Sequence, residues 1–386
     1  MATWPQLRGM LLEEALAFLL RLSGYSPIDQ PGNDPTLSSG PAGLEVLGRG
    51  ANHQIDCVAD YRIPQPFSHP PRLLVEAKCY AKQSVGIDIV RGGVGILKDV
   101  SEFWFTDFKP GSRRERETAR AKVAKNRYHY QYAIASTSGF SEPAEQYAFA
   151  QDVYLIPMAR QGFLQPTIKA IESLRDDDNY EIPWLRGAGA LHSLRLEIRR
   201  ALREEREAYP EDSPEFAMNN DDLPDFQNYK RSLRTYIRSL RKLHGGVLVT
   251  IANRHPILLV PDPELDLRAI PNRLEVEIQY EGKQWYLLRK ETHQRAFSFD
   301  LPDALYDLYV TSAADGQGAS PSQKVQALKM DLFTRFEGHI LVDEQTPRLI
   351  QFMMTQDQAD RLLSRLGESW TSRLQEGTPS EQQGRL

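Results

Sequence analysis

Two hydrophobic periods alternate along the first part of the chain. Residues 7–22 carry apolar side chains at helical spacing around most of the circumference, the pattern of a helix packed between a sheet and other elements. On that wheel Glu14 falls with Ala17, Phe18 and Arg21 on the most polar face, whereas Glu13 falls with Leu16, Ala17 and Leu20. A carboxylate among apolar neighbours needs a partner. Residues 48–61 and 72–80 alternate with a period of two and read as strands on either side of a proline-rich turn at 63–71. In the first strand Gln54 and Asp56 share a face, with Ile55, Cys57 and Ala59 on the other. In the second, Glu76 and Lys78 share a face backed by Val75, Ala77 and Cys79. Antiparallel pairing across the turn sets Asp56 close to opposite Glu76. The helical period returns over 85–100 through Ile87, Val90, Val94 and Leu97, where Gly92, Gly93 and Gly95 leave room for another backbone, a core element or DNA, to come close. Strand-like stretches at 132–136 and 153–156 bound a helix at 142–150, so this part predicts an α/β sheet with helices on its faces.

The second part reads differently. A charged helix is expected over 187–209, stopped by Pro210, and an acidic, proline-containing linker over 211–226. Residues 228–244 form an amphipathic helix with Leu233, Tyr236, Ile237, Leu240 and Leu243 on one side and Arg231, Arg234, Arg238 and Arg241 on the other. That basic face is either solvated or a contact for nucleic acid or an acidic partner. Strands are expected at 247–251, 274–280 and 284–288, the last two as a hairpin, helices at 304–310 and 356–366, and a disordered tail. The expected organisation is 1–165, a helical and acidic connector at 166–228, an α+β domain at 229–372 and the tail at 373–386.

Composition bounds the function. With 386 residues the chain has room for two cores. No run approaches the roughly 18 apolar residues of a membrane span, and the N-terminus lacks the basic flank of a signal peptide, so no membrane partner and a cytoplasmic location are expected. The net charge of −5 does not advertise a nucleic-acid binder, but charge is unevenly spread. Residues 101–132 hold eight Lys and Arg, among them Arg113, Arg114, Arg120 and Lys122, and run into Tyr128, Tyr130 and Tyr132, a composition suited to phosphate contacts. Arg91 and Gln54 are further candidates for the nucleic-acid contact. The two cysteines, Cys57 and Cys79, turn by alternation toward the core, and two thiols alone do not make a zinc site.

The chemistry concentrates on Asp56, Glu76 and Lys78. Two adjacent carboxylates repel, and a divalent cation is the simplest compensation, with Mg²⁺ accepting one or two protein carboxylates among its oxygen ligands. An Asp, a gap and then Glu-X-Lys resembles the PD-(D/E)XK nuclease superfamily, in particular its Mrr-like restriction endonuclease branch. Four further segments carry the similarity in order: Leu12-Glu13-Glu14 opening a helix that ends at Ser23-Gly24-Tyr25; Lys78-Cys79-Tyr80; Ser84-Val85-Gly86 with Val90-Arg91; and the run from Ser136 to Ala144. The resemblance covers roughly the first 165 residues. It implies a restriction-endonuclease-like mixed sheet flanked by helices and a metal-dependent endodeoxyribonuclease. Asp56, Glu76 and the Ala77 carbonyl would hold Mg²⁺, with Mn²⁺ able to substitute. Lys78 would position or deprotonate the attacking water, and Glu13 would assist. Restriction of foreign DNA, as in phage defence, is the implied role, DNA the partner, and a homodimer the expected means of double-strand cleavage. A regulatory ligand or protein would act through the C-terminal domain. A structure-specific or RNA nuclease, and a non-catalytic nucleic-acid-binding subunit, remain open at this point.

Overall fold

The computed structural model describes the chain except for residues 41–42, 63–68, 81–82, 103–127, 159–160, 176–179, 188, 204–223, 244–246, 252–254, 282–283, 300–334, 344–345 and 354–386. The expected helices at 304–310 and 356–366, the tail, most of the acidic linker, and Arg113, Arg114, Arg120 and Lys122 lie outside the described residues.

Helix α1, Trp4–Leu22, starts where local chemistry tells it to. Thr3 caps it reciprocally with Gln6, at 3.3 and 3.0 Å, and Pro5 occupies the first turn, where a missing N–H costs nothing. It lies on a five-stranded sheet of order β1-β5-β6-β7-β8, built from β1 Tyr25–Ile28, β5 Cys57–Tyr61, β6 Pro71–Lys78, β7 His129–Ser136 and β8 Val153–Pro157. The intervening β2 Leu37–Gly40, β3 Gly43–Leu47 and β4 Asn52–Gln54 form a separate three-stranded sheet. In the main sheet β1, β5 and β6 pair antiparallel, whereas β6, β7 and β8 pair parallel, so the sheet is mixed. The α/β character is as the periodicities predict. Alternation along the strands feeds two cores. Leu73, Val75, Ala133 and Ala135 pack under α1 with Leu12, Leu16 and Leu19. Val58, Leu74, Tyr132 and Ile134 pack on the other face under helices α2, Ile87–Ser101, and α3, Glu142–Ala150.

One expected element divides. The single strand over 48–61 is β4 and β5, with Ile55 and Asp56 between them. The chain changes partner there: Ile55 N–H still donates to Leu44 O at 3.3 Å, and Cys57 is already paired with Val75. The β3–β4 turn is tied to α2 through Asp99, whose carboxylate accepts Gly50 N–H at 2.8 Å and Ala51 N–H at 3.2 Å. At the far end of the β5–β6 pair Arg72, 1% exposed, holds Asp60 at 2.6 and 2.9 Å, Asp34 at 2.7 Å and Thr36 Oγ1 at 2.8 Å. Its guanidinium also stacks 3.4 Å from the Tyr128 ring. All three guanidinium nitrogens of this buried cation are thereby engaged, which fixes the strand register from that end.

The other side of α1 is covered too, which explains its nearly continuous apolar circumference. Helices α4 Gln165–Glu172, α5 Ala190–Arg203 and α6 Pro224–Arg241 bury Ile171, Leu194, Ile198, Leu233, Tyr236 and Leu240 against Trp4, Leu7, Leu11 and Phe18. Tyr236 buries its hydroxyl by donating to Leu11 O at 2.6 Å. The expected helix at 187–209 is described from Ala190 to Arg203 only. Beyond α6, seven strands close a barrel of order β10-β13-β12-β11-β15-β14-β9. They are β9 Val247–Ile251, β10 His255–Pro261, β11 Arg273–Glu281, β12 Gln284–Arg289, β13 Arg295–Phe299, β14 Arg335–Asp343 and β15 Thr346–Met353. The hairpin β11–β12 is as expected; β10, β13, β14 and β15 are additional. Trp285, Leu287, Phe297, Phe299 and Phe352 are buried inside it, and Val260 of β10 joins the core under α1.

Candidate functional site

Extending the β5–β6 register of Cys57 with Val75 by one residue places Asp56 opposite Glu76. The sequence reading put it there from the turn alone. Asp56 Oδ2 accepts the Ala77 N–H at 2.8 Å, so the carboxylate is folded onto the β6 backbone at the point where β5 begins. Glu76 and Lys78 do share a face: Lys78 Nζ donates to Glu76 Oε1 at 2.5 Å, and Tyr132 Oη donates to Glu76 Oε2 at 3.2 Å. Lys78 pairs with Ser136 across the parallel ladder, and Thr137 N–H donates to Lys78 O at 3.1 Å. The cluster therefore sits outside the carboxyl ends of the parallel strands, the usual location for ligands in open α/β sheets. The turn leaving β7 is held by Gly139, at φ 83°, whose carbonyl accepts Val85 N–H at 3.0 Å.

Glu13 joins this cluster from α1. Burial pushes its carboxyl up to about 7, against the lowering pull of Arg195, and the nearby charge of Asp56 pushes in the same direction as burial. Asp56 is raised as well, first by burial and then by the charge of Glu76. For Lys78 burial works against the ammonium, but the hydrogen bond and charge of Glu76, with Asp56 behind it, outweigh burial and raise its pKa. Three carboxylates and one ammonium at the end of one sheet carry more negative charge than they neutralise among themselves.

The remaining cation comes from a residue the sequence reading did not single out. Arg195 of α5 donates to Glu13 Oε2 at 2.5 Å, lies 3.5 Å from Glu14 Oε1, and its charge also acts on Asp56. One helical turn on, Arg199 grips Glu14 at 2.7 and 2.8 Å. Here the helix wheel is corrected. Glu14, assigned to the polar face, is 3% exposed, because α5 covers that face of α1. Arginines spaced four apart on one amphipathic helix were the signal for these partners.

Other candidates are placed as follows. Gln54 belongs to β4, across the break from Asp56, opposite Glu45. Next to it in β4, His53, which was not among the candidates above, pairs with Asp99 at 2.8 Å. Arg91 is exposed on α2, with Asp88 at 3.0 Å and the Tyr147 ring at 5.8 Å. Cys57 is buried, which pushes its thiol up to about 12, and the charges of Glu14, Asp29 and Glu13 act in the same direction; Cys79 is half-buried against the core. Among the described residues no three Asp, Glu, His or Cys side chains already converge as metal ligands. The oxygen donors that a hard cation could take here are the carboxylates of Asp56 and Glu76, and Mg²⁺ usually takes one or two protein carboxylates and fills the rest of its shell with water. No helix among the described residues is long and apolar enough to cross a membrane.

No protein-family model matches the chain, and comparison with curated proteins and with solved structures finds no similar protein.

Proposed function

We propose that the chain is a Mg²⁺-dependent nuclease that hydrolyses DNA phosphodiester bonds, with a restriction-endonuclease-like catalytic core. The observation that carries this reading is the Asp56–Ala77 hydrogen bond, which brings a second carboxylate beside the Glu76–Lys78 pair at the open end of the parallel strands. Asp56, Glu76 and the Ala77 carbonyl would hold the cation, which would supply a Lewis acid beside the scissile phosphate. Each protein group then has a separate task. Lys78, paired with Glu76, donates hydrogen bonds that orient the attacking water and draw the phosphate in, and it is the group beside that water that could take its proton. Tyr132 fixes the second Glu76 oxygen and so the direction of that carboxylate. Glu13, titrating near neutrality, is the carboxyl able to change charge as substrate arrives. Arg195 balances Glu13 and Asp56 in the absence of phosphate. Restriction of foreign DNA, as in phage defence, is the role proposed for this activity.

The test is cleavage of unmodified and methylated plasmid with Mg²⁺ and with EDTA. Cleavage requires Mg²⁺, and Asp56→Ala, Glu76→Ala and Lys78→Ala each abolish it while the proteins melt cooperatively. Full activity of a purified Lys78→Ala protein, or cleavage that persists in EDTA, would sink the assignment; RNA cut in preference to DNA would redirect it to an RNA nuclease.

A further inference from the structure

We infer that the groove system along α6 is a binding site for single-stranded nucleic acid, separate from the carboxylate cluster. Two cavities, of about 530 and 450 Å³, adjoin one another and share Pro166 and Thr235. The first is lined by Lys169, Arg175 and Arg231, the second by Arg238, Lys242 and Arg295. Against these six cations the two linings contain one acid, Asp262, in a chain whose net charge is −5. The concentration of charge therefore runs against the composition. Arg231, Arg238 and Lys242 are all exposed and fall on one face of the helical stretch at steps of seven and four residues, a row about 16 Å long at 1.5 Å per residue.

The length of the row and the apolar lining together select the ligand. A row of that length asks for several phosphates rather than one, which sets aside a mononucleotide. The second cavity has Phe163, Leu243 and Tyr286 among its walls, and the Arg295 guanidinium lies 4.2 Å from the Tyr286 ring centroid while pairing with Glu281 at 2.8 Å. A duplex turns its bases inward and leaves such a lining uncovered, whereas a single strand lays its phosphates on cations and turns its bases onto aromatic and guanidinium planes. The inference is independent of the cleavage proposed above, because binding at this groove uses none of Asp56, Glu76 or Lys78.

The test measures binding without cleavage. Fluorescence anisotropy of a labelled oligothymidylate is followed with the full chain in EDTA, across a salt series, for the wild type and for an Arg231→Gln, Arg238→Gln, Lys242→Gln variant. The variant binds at least tenfold more weakly, and the slope of log affinity against log salt falls by about two, since each lost phosphate contact on a single strand removes about 0.7. A companion variant with Arg231→Lys and Arg238→Lys keeps the wild-type slope, separating charge from damage to the fold. Equal affinity and slope in the neutralised variant would overturn the inference. So would displacement of the oligonucleotide by duplex DNA, or by polyglutamate, as effectively as by unlabelled single strand.

Discussion

Glu13 offers a way to measure the charge balance of the cluster without any turnover. Its carboxyl is pushed up to about 7 from an ordinary 4.5. Between those two pH values the folded chain holds the proton that the unfolded chain has released, so stability attributable to Glu13 falls as the pH rises and levels off above about 7. Integrated from pH 5 to pH 8 at about 1.4 kcal/mol per pH unit, the loss is about 2 to 3 kcal/mol. Glutamine resembles the protonated acid and does not titrate, so Glu13→Gln escapes the loss. Melting curves of both proteins in EDTA at four pH values give the comparison. The gap between them shifts in favour of the variant by about 5 to 10 °C from pH 5 to pH 8, at about 2 to 4 °C per kcal/mol for a unit of this size. The part of the Arg195 contact that does not depend on the charge of Glu13 appears at every pH and cancels in that difference; the charge-dependent part is already contained in the raised value. A gap constant to within about 2 °C would refute the reasoning. Repeating the series with Mg²⁺ narrows the gap, because a bound cation favours the ionised carboxyl, and this reads the proposed metal site without reference to cleavage.

Two further outcomes follow from the packing around the cluster. Glu14→Gln removes one partner of a buried pair, a change worth roughly 3 to 5 kcal/mol in a fully buried setting; Arg199 is 19% exposed and keeps Asp29 at 3.0 Å, so we expect about 2 to 3 kcal/mol, and a denaturant midpoint unchanged within error would contradict it. A Cβ at Gly93 would stand 2.6 Å from Tyr132 Cε1, so Gly93→Ala overpacks the core at a cost of about 1 to 3 kcal/mol and moves the phenol off Glu76. Gly92→Ala meets nothing within 4 Å and raises helix propensity. Cleavage lowered equally by the two substitutions would show that Tyr132 does not steer Glu76.

The parts of the fold legible in the sequence are those whose partners lie nearby. The pairing of Asp56 with Glu76 could be read because its two strands follow one another in the sequence, and the burial of Cys57 could be read because alternation is a local rule. The division of β4 from β5 was not legible: it arises where the chain leaves β3 for β6, and nothing in residues 52–57 marks the exchange. In the barrel, β11 and β12 carry their hairpin within one stretch. By contrast β10 is an apolar run with prolines at both ends, which argues against a strand in isolation, and β15 pairs parallel to β11 from 78 residues away, as Arg273 with Gln351. Glu14 was misplaced for a related reason, since a wheel ranks the faces of one helix by their own residues and cannot see a helix that arrives from residue 190 onward.

That helix changes what the cluster consists of. Glu13 and Glu14 are consecutive, so they leave α1 about 100° apart. Arg195 and Arg199 lie one turn apart on α5 and reach one each, with Arg195 touching both. Docking α5 onto Glu14 and delivering a cation to Glu13 and Asp56 are consequently one event. Without α5 the cluster keeps Lys78 as its only described cation against Glu13, Asp56 and Glu76, and it loses Arg195, whose charge opposes the upward shift of both Glu13 and Asp56. The chemistry proposed for the first 165 residues thus draws part of its charge balance from a helix outside them. A ligand that moved α5 would reach the carboxylates through Arg195 before it touched any strand.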